Sequence, residues 1–266
     1  MWVAEGFTDY YGALLVARAG LSTPVEYLDE LSNTIEQVQM RPGRLVQPVD
    51  MASFDTWIKH YRPDENSLNT SIDYYSKGAS IAFMLDAKIR KTTGGARTLD
   101  DAMRLAYARY SGAKGCTLEQ FYAVMSEAAG ANLTPWFTEV VSRVEELDFS
   151  DALDYYGLRF TPADPKAARA TLGASTRVDN GRLVVTVVRR DTPAHAAGLN
   201  TDDEILAIDD VRVRADALVT RMDQYRVGDT VRVLVARRDR LVTLAWWLSP
   251  AQSSLPSARL RSTILG

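Results

Sequence analysis

Gly181-Arg182-Leu183-Val184-Val185-Thr186-Val187-Val188 is where the chain changes period. Its β-branched residues run unbroken from Val184 to Val188, which suits a strand better than a helix face. Asp179-Asn180-Gly181 ahead of it has the residues of a tight hairpin turn. Downstream, 204–208 and 231–235 are similar short runs, separated by turns at Asp209-Asp210, Val227-Gly228-Asp229 and Arg238-Asp239-Arg240. The spacing predicts one helix in this region, over 215–225, with Leu218, Val219 and Met222 on one face. Residues 151–250 therefore read as a small β domain, and 251–266, with its Ser and Pro, as a flexible tail.

Upstream the period is helical. Phe7, Tyr10, Tyr11, Leu14, Leu15 and Ala19 recur at spacings of three and four, and Gly20 ends that helix. Thr23-Pro24-Val25-Glu26 opens the next as a capping box with Pro at the first helical position. Pro42, Gly43 and Pro48 break it, and an amphipathic segment around Phe54, Trp57, Ile58 and Tyr61 leads to the polar turn Arg62-Pro63-Asp64-Glu65-Asn66-Ser67. The longest helix is predicted over 71–92, stopping at Gly94-Gly95. Thr98 with Asp101, Thr117 with Gln120, and Thr134 with Pro135 mark three more helix starts. The fold class expected is thus multi-domain α + β: a helical bundle over 1–150, then the small β domain.

The 266 residues, 46% hydrophobic, suffice for two cores. Residues 1–150 carry 14 Lys+Arg against 20 Asp+Glu, and 151–266 carry 17 against 14, so the halves stand at −6 and +3. Neither has the clustered basic face of a nucleic-acid binder. Cys116 is the one cysteine, which excludes an intrachain disulfide and a Cys-based zinc cluster. No apolar run approaches the roughly 18 residues of a membrane span. The N-terminus has no signal-peptide pattern, so a soluble chain is expected, cytoplasmic or periplasmic, with the compartment left open.

Met1-Trp2-Val3 runs straight into a helix, as expected of a chain whose beginning lies elsewhere. Glu5 and Asp9 then share one helix face, one turn apart. Acidic groups in a first turn complement the helix dipole, and the residues alone leave that reading open beside a ligand role.

Residues 191–210, Asp191-Thr192-Pro193-Ala194-His195-Ala196-Ala197-Gly198-Leu199 through Glu204-Ile205-Leu206-Ala207-Ile208-Asp209-Asp210, resemble the bacterial PDZ signature, departing from it at Thr192, Asp202 and Asp210. The resemblance implies a groove that takes a peptide as an added strand. Its turn would be Leu172-Gly173-Ala174, or alternatively Gly157-Leu158-Arg159-Phe160. With the first, Ser175 and the helix face at Leu218 and Met222 wall the groove; the alternative is a groove filled by the protein itself.

Trp2-Val3-Ala4-Glu5-Gly6-Phe7-Thr8-Asp9-Tyr10-Tyr11 is similar to the W-x-x-E-G-F-T-x-Y-Y segment of the PDZ-bearing glycyl aminopeptidases, zinc peptidases of the gluzincin class. Arg62-Pro63-Asp64-Glu65-Asn66-Ser67 and Tyr74-Tyr75-Ser76-Lys77-Gly78 resemble the family too. The resemblance implies Glu5 as third zinc ligand, Asp9 as its supporting carboxylate and Tyr75 as hydrogen-bond donor to the oxyanion. Lys77 reads as a solvated end. The H-E-x-x-H motif that supplies the other two ligands and the base is not among the 266 residues, and His60 and His195 are 135 positions apart. The expectation is the C-terminal part of an aminopeptidase, inactive and without tight zinc by itself, whose partners are a peptide and the missing N-terminal part. The rival expectation is a non-catalytic PDZ adaptor with a relic helical domain.

Overall fold

The computed structural model describes residues 1–161, 169–214, 216–250 and 260–262. By contacts, Met1–Arg62, Ser71–Thr161 and Ala258–Gly266 form one compact unit, and Pro63–Thr70 with Pro162–Ser257 a second.

In the helical unit, α1 (Trp2–Arg18) is held by packing, since Met1 at its N-cap supplies no side-chain bond. Trp2 meets Phe7 at 6.1 Å and Phe121 at 6.2 Å edge to face, the arrangement ring quadrupoles favour. α2 (Pro24–Gln39) starts on its capping box: Glu26 N donates to Thr23 Oγ1 at 3.2 Å and Thr23 N to the Glu26 carboxylate at 2.7 Å. α3 (Val49–Phe54) is followed by turns rather than more helix, and Phe54, Trp57, Ile58 and Tyr61 are exposed. The short α4 (Ser67–Thr70) belongs to the second unit.

α5 (Tyr74–Thr92) begins where Asp73 accepts from Tyr75 N at 3.1 Å. Fourteen of its 19 residues are buried, so helices surround it on every side. Lys77, expected at a solvated end, is among them at 1% exposure. α1 crosses α5 where Gly6 meets Gly78: a Cβ on Gly6 would stand 2.4 Å from Gly78 Cα, so only glycine permits this approach. α6 (Leu99–Tyr110) and α7 (Leu118–Ala129) carry the capping boxes expected at Thr98 and Thr117, while α8 (Thr134–Ser142) starts at Thr134 itself.

Past residue 150 the structure departs from the periodicity reading. α9 (Ser150–Tyr156) continues the helical unit until Gly157 turns left-handed at φ 61°. β1 (Leu158–Phe160) pairs antiparallel with Leu260–Ser262, numbered β10 below as the last strand. Leu260 is buried and donates its N–H to Ser32 Oγ at 2.9 Å. Part of the segment expected as a flexible tail is thus a strand; 251–259 and 263–266 lie outside the described residues.

Asp86 ties this unit together. Its buried carboxylate accepts from Tyr156 Oη at 2.7 Å, Leu99 N at 2.8 Å, Arg90 Nε at 2.9 Å and Tyr10 Oη at 3.2 Å. A buried charge persists when its lone pairs are filled in this way.

In the second unit, β2 (Ala170–Thr171) pairs with β9 (Ser249–Pro250). β3 (Ala174–Asp179), β4 (Arg182–Val188), β5 (Glu204–Ile208), β6 (Val211–Arg212), β7 (Thr230–Arg237) and β8 (Arg240–Trp247) form an antiparallel sheet in the order β3-β4-β5-β7-β8, with β6 on β5. Asn180-Gly181 at φ 48° and 80°, and Arg238-Asp239 at φ 45° and 64°, make the two tight hairpins. α10 (Pro193–Ala196) follows β4. The helix expected over 215–225 is shorter, α11 (Leu218–Met222), and closes in tighter bonds from Gln224 N to Arg221 O and Tyr225 N to Met222 O. Residue 215 lies outside the described residues. Asn69 of α4 is buried against this sheet, donating to Val188 O at 2.8 Å and accepting from Arg190 N at 2.9 Å.

Candidate active site and peptide groove

Glu5 is half-buried in the first turn of α1, and its carboxylate makes no hydrogen bond or ion pair among the described residues. Asp9, one turn on, is also unpaired among them; burial, then the charges of Asp73, Glu5 and Glu30, push its carboxyl above the ordinary range. The α1–α5 crossing sets these acids beside the start of α5, where Tyr75 lies. The Glu5 charge acts on Tyr75 and on Tyr61.

Tyr75 stands in an aromatic cluster. Its ring stacks on Tyr74 at 4.8 Å, and its hydroxyl is 3.5 Å from that of Tyr61, which also takes a bond from Tyr74 Oη at 3.5 Å. The His60 ring lies 4.9 Å from Tyr74 and 6.0 Å from Tyr75, and Trp57 stacks on Tyr61 at 5.1 Å. The hydrogen bond to Tyr61, followed by burial, raises the Tyr75 phenol, while bonds from Tyr74 and Tyr75 lower that of Tyr61. At neutral pH Tyr75 is a protonated donor.

These residues combine an unpaired carboxylate for a cation with a phenol for a developing oxyanion. Among the described residues no three His, Cys, Asp or Glu side chains come together as a metal site. The donor set thus fits one zinc-ligand position, Glu5, and not a whole site. His60 lies in a turn on the tyrosines, and His195 is exposed on α10.

Tyr61, Tyr74 and His60 have no site role in the reading of the sequence. The signal is adjacency: His60 and Tyr61 precede the Arg62–Ser67 motif, and Tyr74 opens Tyr74-Tyr75-Ser76-Lys77-Gly78. Segment 63–70 leaves for the second unit between them, so no helical period links 61 to 75.

In the second unit, β3 is an edge strand, paired only with β4 among the described residues. Leu172 is buried, and Gly173 at φ 76° turns into β3, with Thr171 Oγ1 accepting its N–H at 3.3 Å. Ala174 starts β3 half-buried, Ser175 is exposed, and Leu218 and Met222 of α11 pack half-buried on this unit's core. The alternative turn at 157–160 lies in the helical unit, as β1. Such an edge and turn are what strand addition of a peptide requires.

Residues 1–81 match the family of M61 glycyl aminopeptidases, and residues 170–246 match the PDZ domain. The first half of the helical part is thus similar to M61 peptidases, and the sheet to PDZ domains. A crystal structure of an aminopeptidase N family protein from Idiomarina loihiensis superposes on 98% of this chain, at 28% identity and a TM-score of 0.85. This chain spans 46% of that protein's length. An HtrA-type protease, AlgW with decapeptide, matches 32% of this chain and 30% of its own at 26% identity and a TM-score of 0.29. A serine endoprotease from Yersinia pestis matches 32% and 30% at 25% identity and a TM-score of 0.27. A comparison with curated proteins returns no match. The chain is peptidase-related and carries a peptide-binding type of domain. No helix among the described residues is long and apolar enough to cross a membrane.

Proposed function

We propose that this chain is part of a zinc-dependent aminopeptidase that removes small N-terminal residues such as glycine from peptides. The observation that carries the reading is the juxtaposition of an unpaired Glu5 with the Tyr75 phenol inside the segment that matches the M61 family. Glu5 holds one zinc position, Asp9 supports it, and Tyr75 donates a hydrogen bond to the oxyanion at the scissile carbon. The two histidine ligands and the general base come from an H-E-x-x-H segment outside these 266 residues. The chemistry implied for bound zinc is polarisation of the scissile carbonyl and activation of water.

The purified 266-residue chain is expected to leave a glycyl chromogenic amide intact and to retain no zinc after dialysis. One zinc per chain would overturn the shared site. In an active aminopeptidase containing this chain, Tyr75→Phe is expected to lower kcat about 100-fold with KM little changed, the usual effect of removing one oxyanion donor. Unchanged kcat would remove Tyr75 from the mechanism.

The second reading is an adaptor that binds peptides without catalysis, and the β3 edge, unpaired among the described residues, favours it. On either reading the PDZ groove takes a peptide beside β3, with its end at Leu172-Gly173-Ala174. Fluorescence anisotropy of C-terminal peptides selected by display is the measurement. The double variant Leu218→Ala, Met222→Ala is expected to weaken binding about tenfold, or about 1.4 kcal/mol. A folded chain that selects no peptide would leave the groove a structural element.

A further inference from the structure

The Tyr61 hydroxyl stands between two others. Tyr74 Oη donates to it at 3.5 Å, and Tyr75 Oη lies 3.5 Å away with either oxygen able to donate. The Tyr61 ring is fixed on two sides although half of it is exposed: Trp57 stacks on it with planes 30° apart, and His60 meets it edge-on at 5.2 Å. Its backbone N–H is tied to Thr56 O at 3.0 Å. Fixing an exposed phenol so closely is unnecessary for the core, because Tyr61 is not part of it.

We propose that Tyr61 is the positioning residue for Tyr75, exchanging hydrogen bonds with it as substrate arrives. The inference rests on the reading of Tyr75 as oxyanion donor. Before substrate arrives Tyr75 is the donor to Tyr61, one of the two directions that their 3.5 Å contact allows. When a carbonyl oxygen takes on negative charge, the Tyr75 proton turns to it and the Tyr61 proton turns onto the Tyr75 oxygen. Tyr74 keeps donating to Tyr61 throughout. Each phenol has one proton and two lone pairs, so Tyr75 exchanges a donated bond for an accepted one and its oxygen is never left bare. The bond received by Tyr75 polarises its O–H and makes it a better donor. Separations of 3.5 Å are longer than the roughly 2.5–3.0 Å of a formed O–H···O bond, and catalytic bonds are commonly long before substrate tightens them.

The test needs no turnover. In the 266-residue chain labelled with 13C at tyrosine Cζ, Tyr75→Phe and Tyr74→Phe assign two of the 12 tyrosine resonances. Tyr61→Phe is expected to displace both from their wild-type positions while the melting temperature holds. An unmoved Tyr75 resonance in the folded variant overturns the proposal. In an active aminopeptidase containing this chain, Tyr61→Phe is expected to lower kcat about tenfold at constant KM, a smaller effect than loss of the donor itself. A raised KM at constant kcat overturns it as well. Full turnover by Tyr75→Phe sinks the underlying function instead, and is told apart because the resonances are read without substrate.

Discussion

Gly6→Ala is expected to destabilise the helical unit by about 3 kcal/mol or more, whereas Gly12→Ala on the same helix is expected to stabilise it by about 0.5–1 kcal/mol. Alanine is the better helix former at both positions, and space decides the sign. A methyl on Gly12 meets nothing within 4 Å. On Gly6 it would stand 2.4 Å from Gly78 Cα, 2.5 Å from Gly78 C and 2.8 Å from Ala79 N. All three are backbone atoms of α5, so no rotamer change relieves the overlap and the helices must part. Parting them opens the core around Trp2 and Phe7, adding the loss of packing to the overlap. Glu5 is next to Gly6, so the same displacement shifts the candidate ligand relative to Tyr75. Urea unfolding of the two variants beside the wild type measures the pair; an unchanged or higher midpoint for Gly6→Ala would show that α1 and α5 separate freely.

That crossing also marks what a sequence discloses and what it does not. Capping boxes at Thr23, Thr98 and Thr117 are local, four residues long, and the helices begin where those residues stand. The strands of the PDZ domain announce themselves through β-branched runs between φ-positive turns, again within a few residues. The pairing of β1 with β10 joins Leu158 to Ser262 across about a hundred residues, and no period encodes it. α9 is missed because a seven-residue helix ahead of a strand offers too few turns for a period to emerge. In the candidate site, motif reading reaches Glu5, Asp9 and Tyr75 one by one. The Tyr61 contact joins residues on either side of segment 63–70, which belongs to the second unit, and only the structure supplies it. Lys77 fails for the opposite reason: a charged residue near a helix start is ordinarily solvated, and here the surrounding bundle overrides that rule.

Lys77→Met is expected to stabilise the helical unit by about 3 kcal/mol at pH 7, a rise of roughly 6–12 °C in melting temperature. The lysine is 1% exposed, and its ammonium makes no ion pair or hydrogen bond among the described residues. Glu146 and Asp50 favour its charge from a distance, but Glu146 is already held by Arg44 at 2.5 Å, and Arg44 opposes the lysine. Burial wins and pushes the ammonium down from 10.5 to about 8. Below pH 8 the folded and unfolded chains both carry the charge, and the whole penalty of burying it is present. Between about 8 and 10.5 the unfolded chain still binds a proton that the folded chain has released, so unfolding takes up a proton and stability rises with pH. The difference in unfolding free energy between variant and wild type should therefore shrink steadily from pH 7.5 to 9.5, and subtracting the two cancels the phenols and the thiol that titrate nearby. A difference that stays constant over that range would mean that the ammonium finds water in solution. Lys77 lies two residues beyond Tyr75, about 200° around α5, so the methionine should leave the Tyr75 resonance where it is; stability and the tyrosine cluster are then separable by one substitution.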